Sequence, residues 1–462
     1  MAGWLSLLAV ALVATGCGNG GGNTASPASS EGASASGAEP VVIKVWTLDR
    51  HDQDYMNEMI NKFNQEHEGQ IKVEYQIYAD NYNQTLNLAF ATNEAPDIFF
   101  DGGTAWADLM PKGDIAPLDP YLTDEDKSRF GEGAFVEGIN MVDGKIYSLP
   151  AIGTTPRLIY NKDVFEKAGI SAPPASLDEM VKDAKQISDK LKGQGVYGFS
   201  ANMKSPTSAL SRSIDYILMR SGGVKAGFDF KAGKYDFSGY KPILEAYRQI
   251  FTSDAAFPGS ESLDIDPLRT QFAAGKIGMY ISWTHSEPGV YLNQFPTQQR
   301  WDVAQLPTID GTVKGSQDVL LAGRWFFMNA HTPHPDQAWE VMKYLYSDEL
   351  LSGYYTQGLG MVRVPSALKS AAKPETVTKW PNLEFTDKDK VWPAIPLGVN
   401  PEGNIMYDEF AQVIFGQLDA DKAIQDLNQR YNAAYQQAIS QGKTKPIQYP
   451  DFDPADPAKS LQ

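Results

Sequence analysis

From Val41 onward the chain alternates between two hydrophobic periods, two residues and 3.6 residues, in a regular order. Val41-Val42-Ile43-Lys44-Val45-Trp46 is β-branched and apolar, is bounded by Pro40 and Asp49, and reads as a buried strand. Met56, Met59, Ile60 and Phe63 then fall on one face of a helix, with Asp52 or Asp54 placed to cap its start. Ile71 to Ile77 returns to period two. Tyr82, Leu86, Ala89, Phe90 and Asn93 predict a second helix, and Asp97 to Phe100 a third, short strand after Pro96. The order β-α-β-α-β predicts a mainly parallel sheet with helices on both faces.

The same alternation resumes later. Leu158-Ile159-Tyr160 predicts a strand. Ser176-Leu177-Asp178-Glu179 has the spacing of a capping box, and Met180, Ala184, Ile187 and Leu191 continue a helical face that Gly193 is expected to stop. Ile277 to Ile281 predicts another strand, preceded by a helix tail at Gln271 to Gly275. Ala338, Val341, Met342 and Leu345 predict a helix after Pro335. Phe410, Val413 and Ile414, and then Ile424, Leu427 and Tyr431, predict two late helices. Residues 446–462 carry Pro446, Pro450, Pro454 and Pro457 and are expected to be extended.

Composition narrows the possible partners. Hydrophobic residues make up 42% and aromatics 11%, enough for a real core, and the net charge is −17. That balance argues against nucleic acid, whose phosphates call for clustered Lys and Arg, and against docking on an anionic membrane through a basic surface. The part beyond Pro40, about 420 residues, corresponds to two or three domains. There is one cysteine, so no intrachain disulfide is possible and a large core must supply the stability.

That cysteine, Cys17, follows an apolar run from Trp4 to Val13 and the small residues Ala14-Thr15-Gly16. The run has about half of the ~20 residues a membrane-spanning helix needs. It resembles a bacterial lipoprotein signal, in which the peptide 1–16 is removed and the cysteine becomes the acylated N-terminus. Residues 17–40 are then a lipidated cysteine and a Gly/Ser-rich linker. A coil of about 22 such residues spans roughly 26 Å.

Several further stretches, taken in order, resemble bacterial extracellular solute-binding proteins of the sugar-binding type. They are Ala95-Pro96-Asp97-Ile98 with Gly113 and Leu118-Asp119; Asp143-Gly144-Lys145-Ile146-Tyr147-Ser148-Leu149-Pro150; Tyr160-Asn161-Lys162-Asp163-Val164-Phe165-Glu166-Lys167-Ala168-Gly169; Pro173 to Glu179; and Phe272 to Tyr280. The resemblance implies an α/β, two-lobe, periplasmic-binding-protein-like fold. Each lobe is a mixed, mostly parallel sheet flanked by helices, with the ligand cleft between them. It implies an N-terminal lobe of 41–152 plus 324–360 and a C-terminal lobe of 153–323 plus 361–445. The chain would cross near Ala151–Thr155, Leu320–Arg324 and Gly358–Met361, where Gly153, Gly358 and Gly360 suit hinges.

Open α/β sheets bind ligands beyond the carboxyl ends of their strands. By that rule Trp46, Asp49 and Arg50 leave the first strand, Tyr78 and Asp80 the second, and Asp101, Gly103 and Trp106 the third. Trp283 and His285 follow the strand at Met279, where the resemblance implies a ligand-stacking aromatic. Arg324 and Trp325 stand at the expected second crossing; Arg212, Glu402 and Asn404 complete the candidate set. Rings for the C–H face of a sugar and planar polar groups for its hydroxyls suit a carbohydrate. Each ring has core packing as its ordinary alternative. Enzyme chemistry finds little support: none of the five histidines forms H-E-x-x-H, no G-x-S-x-G elbow occurs, and no acidic pair stands out.

The expected function is an extracellular, membrane-anchored receptor that captures a carbohydrate, an oligosaccharide by preference, and delivers it to ABC importer permease subunits. It is expected to act as a monomer without a cofactor or metal and to contact the membrane only through its lipid. A same-fold receptor for a non-sugar solute and a secreted glycan-degrading enzyme are the alternatives.

Overall fold

The computed structural model describes residues 39–78, 81–102, 105–131, 134–319, 324–457 and 459. Cys17, the signal and linker, Asp80, Gly103 and residues 320–323 of the expected second crossing lie outside the described residues. The strands that build the sheets are β1 (Val41–Thr47), β2 (Ile71–Ile77), β3 (Ile98–Phe100), β4 (Ile152–Gly153), β5 (Pro156–Asn161), β6 (Tyr197–Phe199), β7 (Ile277–Trp283), β8 (Trp301–Ala304), β9 (Phe326–Met328) and β10 (Met361–Val362). The helices used below are α1 (Gln53–Glu66), α2 (Tyr82–Ala91), α3 (Leu177–Leu191), α4 (Pro206–Ser211), α5 (Ile265–Ala273), α6 (Pro335–Leu345), α7 (Asp348–Thr356), α8 (Met406–Ile414) and α9 (Ala420–Ser440).

Two four-stranded sheets organise the body, ordered β9-β3-β1-β2 and β8-β5-β7-β6. In the first, β1 runs parallel to both neighbours, Val41 opposite Ile71 and Val45 opposite Ile98, while β9 lies antiparallel on β3. The second is mixed. Its β5 is antiparallel to both β7 and β8, and β7 is parallel to β6. Alternation along the strands sorts side chains onto two faces. Leu158, Met279 and Ile281 join one buried cluster with Phe199, Tyr247 and Phe410, whereas Ile159, Tyr280 and Val303 join another with Phe272 and Trp301.

The N-terminal sheet has its own cluster, which includes Ile43, Val45, Phe63, Phe99, Trp325 and Phe327. Separate cores make two lobes. The chain passes between them along a short antiparallel ribbon, in which Gly153 of β4 faces Met361 of β10 and Ile152 faces Val362. Val362, Val364 and Ala367 pack in the N-terminal cluster, and Trp380 and Leu383 pack against the C-terminal sheet. The chain up to Ala367 thus sides with the N-terminal cluster, and from Trp380 with the C-terminal sheet. Of the expected hinge glycines, Gly358 has φ +71°, which glycine adopts without strain. Gly153 is held by crowding instead: a Cβ there would come within 2.7 Å of Arg363.

Local expectations meet the structure in detail at the helix ends. In α1 the buried face is Tyr55, Met56, Met59, Ile60 and Phe63. Asp52 stands at its N-cap position without capping; its carboxylate accepts a hydrogen bond from the Tyr354 hydroxyl at 2.9 Å. At α3, Ser176 Oγ accepts from the Glu179 N–H at 3.2 Å, but Glu179 reaches back to the Ala175 N–H at 2.7 Å, one residue before a reciprocal box. That helix ends in a 3-10 turn, Lys192–Gln194, and Gly195, with φ +73°, makes the left-handed stop expected of Gly193. The C-terminal segment is turned and clamped rather than extended. Tyr449 N–H donates to Phe230, Ser316 N–H donates to Pro454, and Phe452 is buried.

Candidate functional site

Parallel β1, β2 and β3 end on the side that faces the other lobe. Leu48, Asp49, Arg50 and His51 leave β1 there, and Asn81 stands just ahead of α2. Asp49 is deeply placed, its side chain 12% exposed. Burial pushes its carboxyl up to about 7; nearby His51 opposes the shift and Asp52 adds to it.

The opposing wall belongs to the C-terminal lobe. It takes Asn202 and Lys204 beyond β6, Ser208 of α4, Arg212 at the end of α4, Arg269 of α5, and Trp283 and His285 at the end of β7. Between the walls lies a cavity of about 730 Å3. That falls within the roughly 300–1,000 Å3 range of small-molecule sites. Trp283 is half-buried and meets Tyr216 edge-on at 5.7 Å.

Two guanidinium groups on this wall are held differently. Arg269 donates to Glu287 at 2.6 Å, and Glu287 also accepts from Tyr280 at 2.6 Å and Ser282 at 2.5 Å. Burial works against the Glu287 charge, but Arg269 and these hydroxyls hold its carboxyl below the usual range. Arg212, 5% exposed, donates to the Ile281 carbonyl at 3.2 Å, to Ser208 Oγ at 3.2 Å and to Asn202 Oδ1. Among the described residues no carboxylate pairs with it. Burial and then the like charge of Arg269 lower its pKa to about 10, so it stays charged at neutral pH.

The walls touch. Arg50 Nη2 of the N-terminal lobe pairs with Asp266 of the C-terminal lobe at 2.8 Å. The His51 and His285 rings meet edge-on with centroids 5.1 Å apart. Burial, with the charges of His51 and Arg269 in support, pushes the His285 pKa well down and favours its neutral form. A second cavity between the lobes, about 680 Å3, is lined by Trp106 and Glu137 on one side and by Pro393, Ile395, Lys445 and Tyr449 on the other.

A family model for bacterial extracellular solute-binding proteins matches residues 49–350. The chain belongs to that family. A binding protein of Brucella abortus (strain 2308) is 28% identical over 281 residues, covering 61% of this chain and 64% of its own length; this match thus spans a little under two thirds of that relative. The sn-glycerol-3-phosphate-binding periplasmic protein UgpB of Brucella melitensis is 24% identical over 409 residues, 82% of this chain and 90% of its own. An ABC transporter solute-binding protein from Thermotoga lettingae, bound with alpha-D-tagatose, has the same fold. It aligns with a TM-score of 0.67 at 20% identity, over 86% of this chain and all of that one. The family and these neighbours are binding proteins rather than enzymes. Among the described residues, no helix is long and apolar enough to cross a membrane.

In this solute-binding protein the candidate residues separate into groups. Asp49, Arg50, Arg212, Trp283 and His285 line the first cavity, and Trp106 lines the second. Trp46 is buried against Tyr78, ring centroids 4.4 Å apart, and its Nε1 has no hydrogen-bond partner among the described residues. Asp101 and Arg324 pair with each other at 2.9 Å, and Arg324 lies over the Trp106 ring. Three expectations are corrected. Trp325 is 2% exposed and packs among Phe326, Tyr346 and Tyr354, a core ring and not a cleft ring. Glu402 and Asn404 are exposed, and their carbonyls accept from Arg430; neither lines a described cavity.

His51, Asn202 and Arg269 line the cavity without having been singled out. His51 follows Arg50 at the same strand end, so the strand-end rule already pointed to it. Asn202 depends on β6, a three-residue strand with glycine at its centre, too short for a hydrophobic period to reveal. Arg269 carries no sequence signal, because helix α5 reaches the cleft only through tertiary packing.

Proposed function

We propose that this chain captures a carbohydrate, an oligosaccharide by preference, between its lobes and delivers it to the permease subunits of an ATP-driven importer. The cavity of about 730 Å3 carries this reading: Trp283 stands on one wall among the hydrogen-bonding groups of Asn202, Ser208 and Arg212, opposite Asp49 on the other. A ring offers a flat face to sugar C–H groups, while planar amide, carboxylate and guanidinium groups suit paired hydroxyls. The tagatose-bound neighbour supports the carbohydrate class. A thermal-shift screen over mono- and oligosaccharides tests it, with a clear stabilisation by one sugar family as the expected result. Failure of all sugars to shift melting would overturn it.

Anchoring belongs to the same proposal. Acylated at Cys17, the receptor would work as a monomer on the outer face of the cell membrane. Cys17→Ser is expected to release it into the medium or leave it unprocessed, checked by fractionation and mass spectrometry of the mature N-terminus.

Arg212 favours a second reading, an acidic or phosphorylated small solute. Its buried guanidinium has no carboxylate partner among the described residues. A UgpB relative is named for binding sn-glycerol-3-phosphate. Calorimetry with glycerol-3-phosphate and with neutral sugars separates the two. Under this reading the phosphate ester binds, and Arg212→Gln weakens it far more than any neutral sugar.

A further inference from the structure

Three cavity residues offer metal-ligand atoms to one another across the lobes. Donor atoms of Asp49, His51 and His285 all lie within 4.8 Å of one another. The first two come from the N-terminal lobe and the third from the C-terminal lobe, and all three line the cavity. Each imidazole is already oriented by its other nitrogen. His51 Nε2 lies 3.0 Å from the Leu359 carbonyl, which can only accept, so Nε2 carries the proton and Nδ1 presents a lone pair. That lone pair faces Asp49 Oδ1 at 3.9 Å. His285 Nδ1 is bonded to Thr154 Oγ1 at 2.7 Å, which leaves Nε2 for another partner.

Two acceptors, a carboxylate and an imidazole lone pair, thus stand face to face. Among the described residues nothing donates to the Asp49 carboxylate. Beside them Asp52, 2% exposed, has Oδ1 buried without a hydrogen-bond partner among the described residues. Such a set has the chemistry to hold a cation. We propose that Asp49, His51 and His285 form a binding site for a late first-row divalent cation, of which zinc is the probe, at the seam between the lobes. Two imidazoles and one carboxylate match a three-ligand zinc site whose fourth position stays open, here toward the cavity. The bonds to Leu359 and Thr154 are the outer-shell contacts that fix ligating histidines. Tetrahedral zinc with bonds of about 2.0–2.1 Å brings its donors to about 3.3 Å apart. Metal binding therefore draws His285 toward Asp49 and His51 and favours the closed arrangement of the lobes.

The inference rests on the two-lobe geometry and not on the identity of the solute, so the test uses zinc alone. Calorimetry on the full chain without solute is expected to give one site of micromolar or tighter affinity for Zn2+ and no comparable heat with Mg2+. Small-angle scattering is expected to show a smaller radius with zinc. His285→Gln keeps both N-terminal ligands, and is expected to lose most of the affinity and all of the compaction. Thr154→Val removes the outer-shell bond to His285, together with a 3.3 Å contact to Thr284 Oγ1, and should cost about tenfold. Cobalt(II) on the wild type should give the visible bands of a tetrahedral site, a readout that needs no variant to fold. Zinc binding weaker than millimolar, unchanged affinity in His285→Gln, or a cobalt spectrum identical to that of the free ion would each overturn the proposal.

Discussion

On the N-terminal wall of the cleft the rings and ions are largely committed to their own lobe; on the C-terminal wall they face the cavity. Trp46 lies on Tyr78, Trp325 is in the core, and Arg324 pairs with Asp101 while covering Trp106. Across the cleft, Trp283 touches Tyr216 by its edge and borders the cavity, and Arg212 has no acidic partner among the described residues. The N-terminal wall instead contributes small polar groups, Asp49, His51 and Asn81. On the proposed reading, stacking and anion recognition would fall to one lobe, and hydrogen bonding with candidate metal ligation to the seam. A strand end marks where the ligand can be reached, but neighbours in space decide whether a side chain there is free to reach it.

The largest effects should come from breaking what is buried. Trp325→Ala removes a core ring and is expected to cost about 3–5 kcal/mol of stability. Glu287→Ala leaves the Arg269 guanidinium with only Asp266 at 3.3 Å and Ser286 at 3.2 Å as partners, with a loss of about 3 kcal/mol. Denaturant unfolding measures both. The comparison predicts that Trp325→Ala leaves solute affinity nearly unchanged in the folded fraction, whereas Glu287→Ala weakens it because Arg269 lines the cavity. Equal losses of affinity would erase the distinction between the walls.

Next in size, Trp283→Ala is expected to lose about 2 kcal/mol of binding, roughly thirtyfold in affinity. Unliganded melting should change little, since the ring is half-buried. Several degrees of lost stability with intact affinity would instead make Trp283 a core residue like Trp325.

A smaller effect concerns Asp215, in the helical segment just after Arg212. Its carboxylate accepts from Tyr240 and Tyr407, each at 2.6 Å. Burial, only partly offset by these hydroxyls and by Lys225, raises its pKa from 3.8 to about 6. A raised carboxyl holds its proton more tightly folded than unfolded. Its contribution is therefore most favourable below pH about 4 and is lost as pH climbs through about 6. Melting of the wild type should fall over that window more steeply than melting of Asp215→Asn; parallel pH curves would remove Asp215 from the account.

The smallest effect is expected at the contact between walls. Arg50 and Asp266 are 39% and 30% exposed, so Arg50→Gln should cost about 1 kcal/mol or less. It should show as a slightly larger solution radius without solute, and as an affinity reduced by a few fold at most.

Much of the fold was legible because hydrophobic periods report local burial. β1, α1, β2 and α2 follow directly from period two and period 3.6, and so do β7, α6 and the two late helices. β6 was not legible. Its three residues include Gly198, where helix α3 packs so closely that a Cβ would meet the Ala184 carbonyl at 2.1 Å. The candidate cavity was legible in part. Asp49, Arg50, Trp283 and His285 line it from strand ends, and the order of strands points to those ends. Trp325 stands next to the expected second crossing and is a core ring, since a tryptophan's sequence position does not say which side of the backbone it covers.

The sequence by itself determined the alternation of strands and helices, the acidic balance of the chain, and the family whose motifs run in order along it. Each of these depends on composition or on neighbours within a few residues. Only the tertiary structure decided that Arg324 neutralises Asp101, that Arg212 is buried without an acid among the described residues, that Arg50 meets Asp266, and that His51 meets His285. Those pairs are 223, 216 and 234 residues apart in the chain, with Arg212 set by α4 and β7 together. No local pattern encodes contacts of that separation; they exist because two independently packed lobes bring their strand ends to one seam.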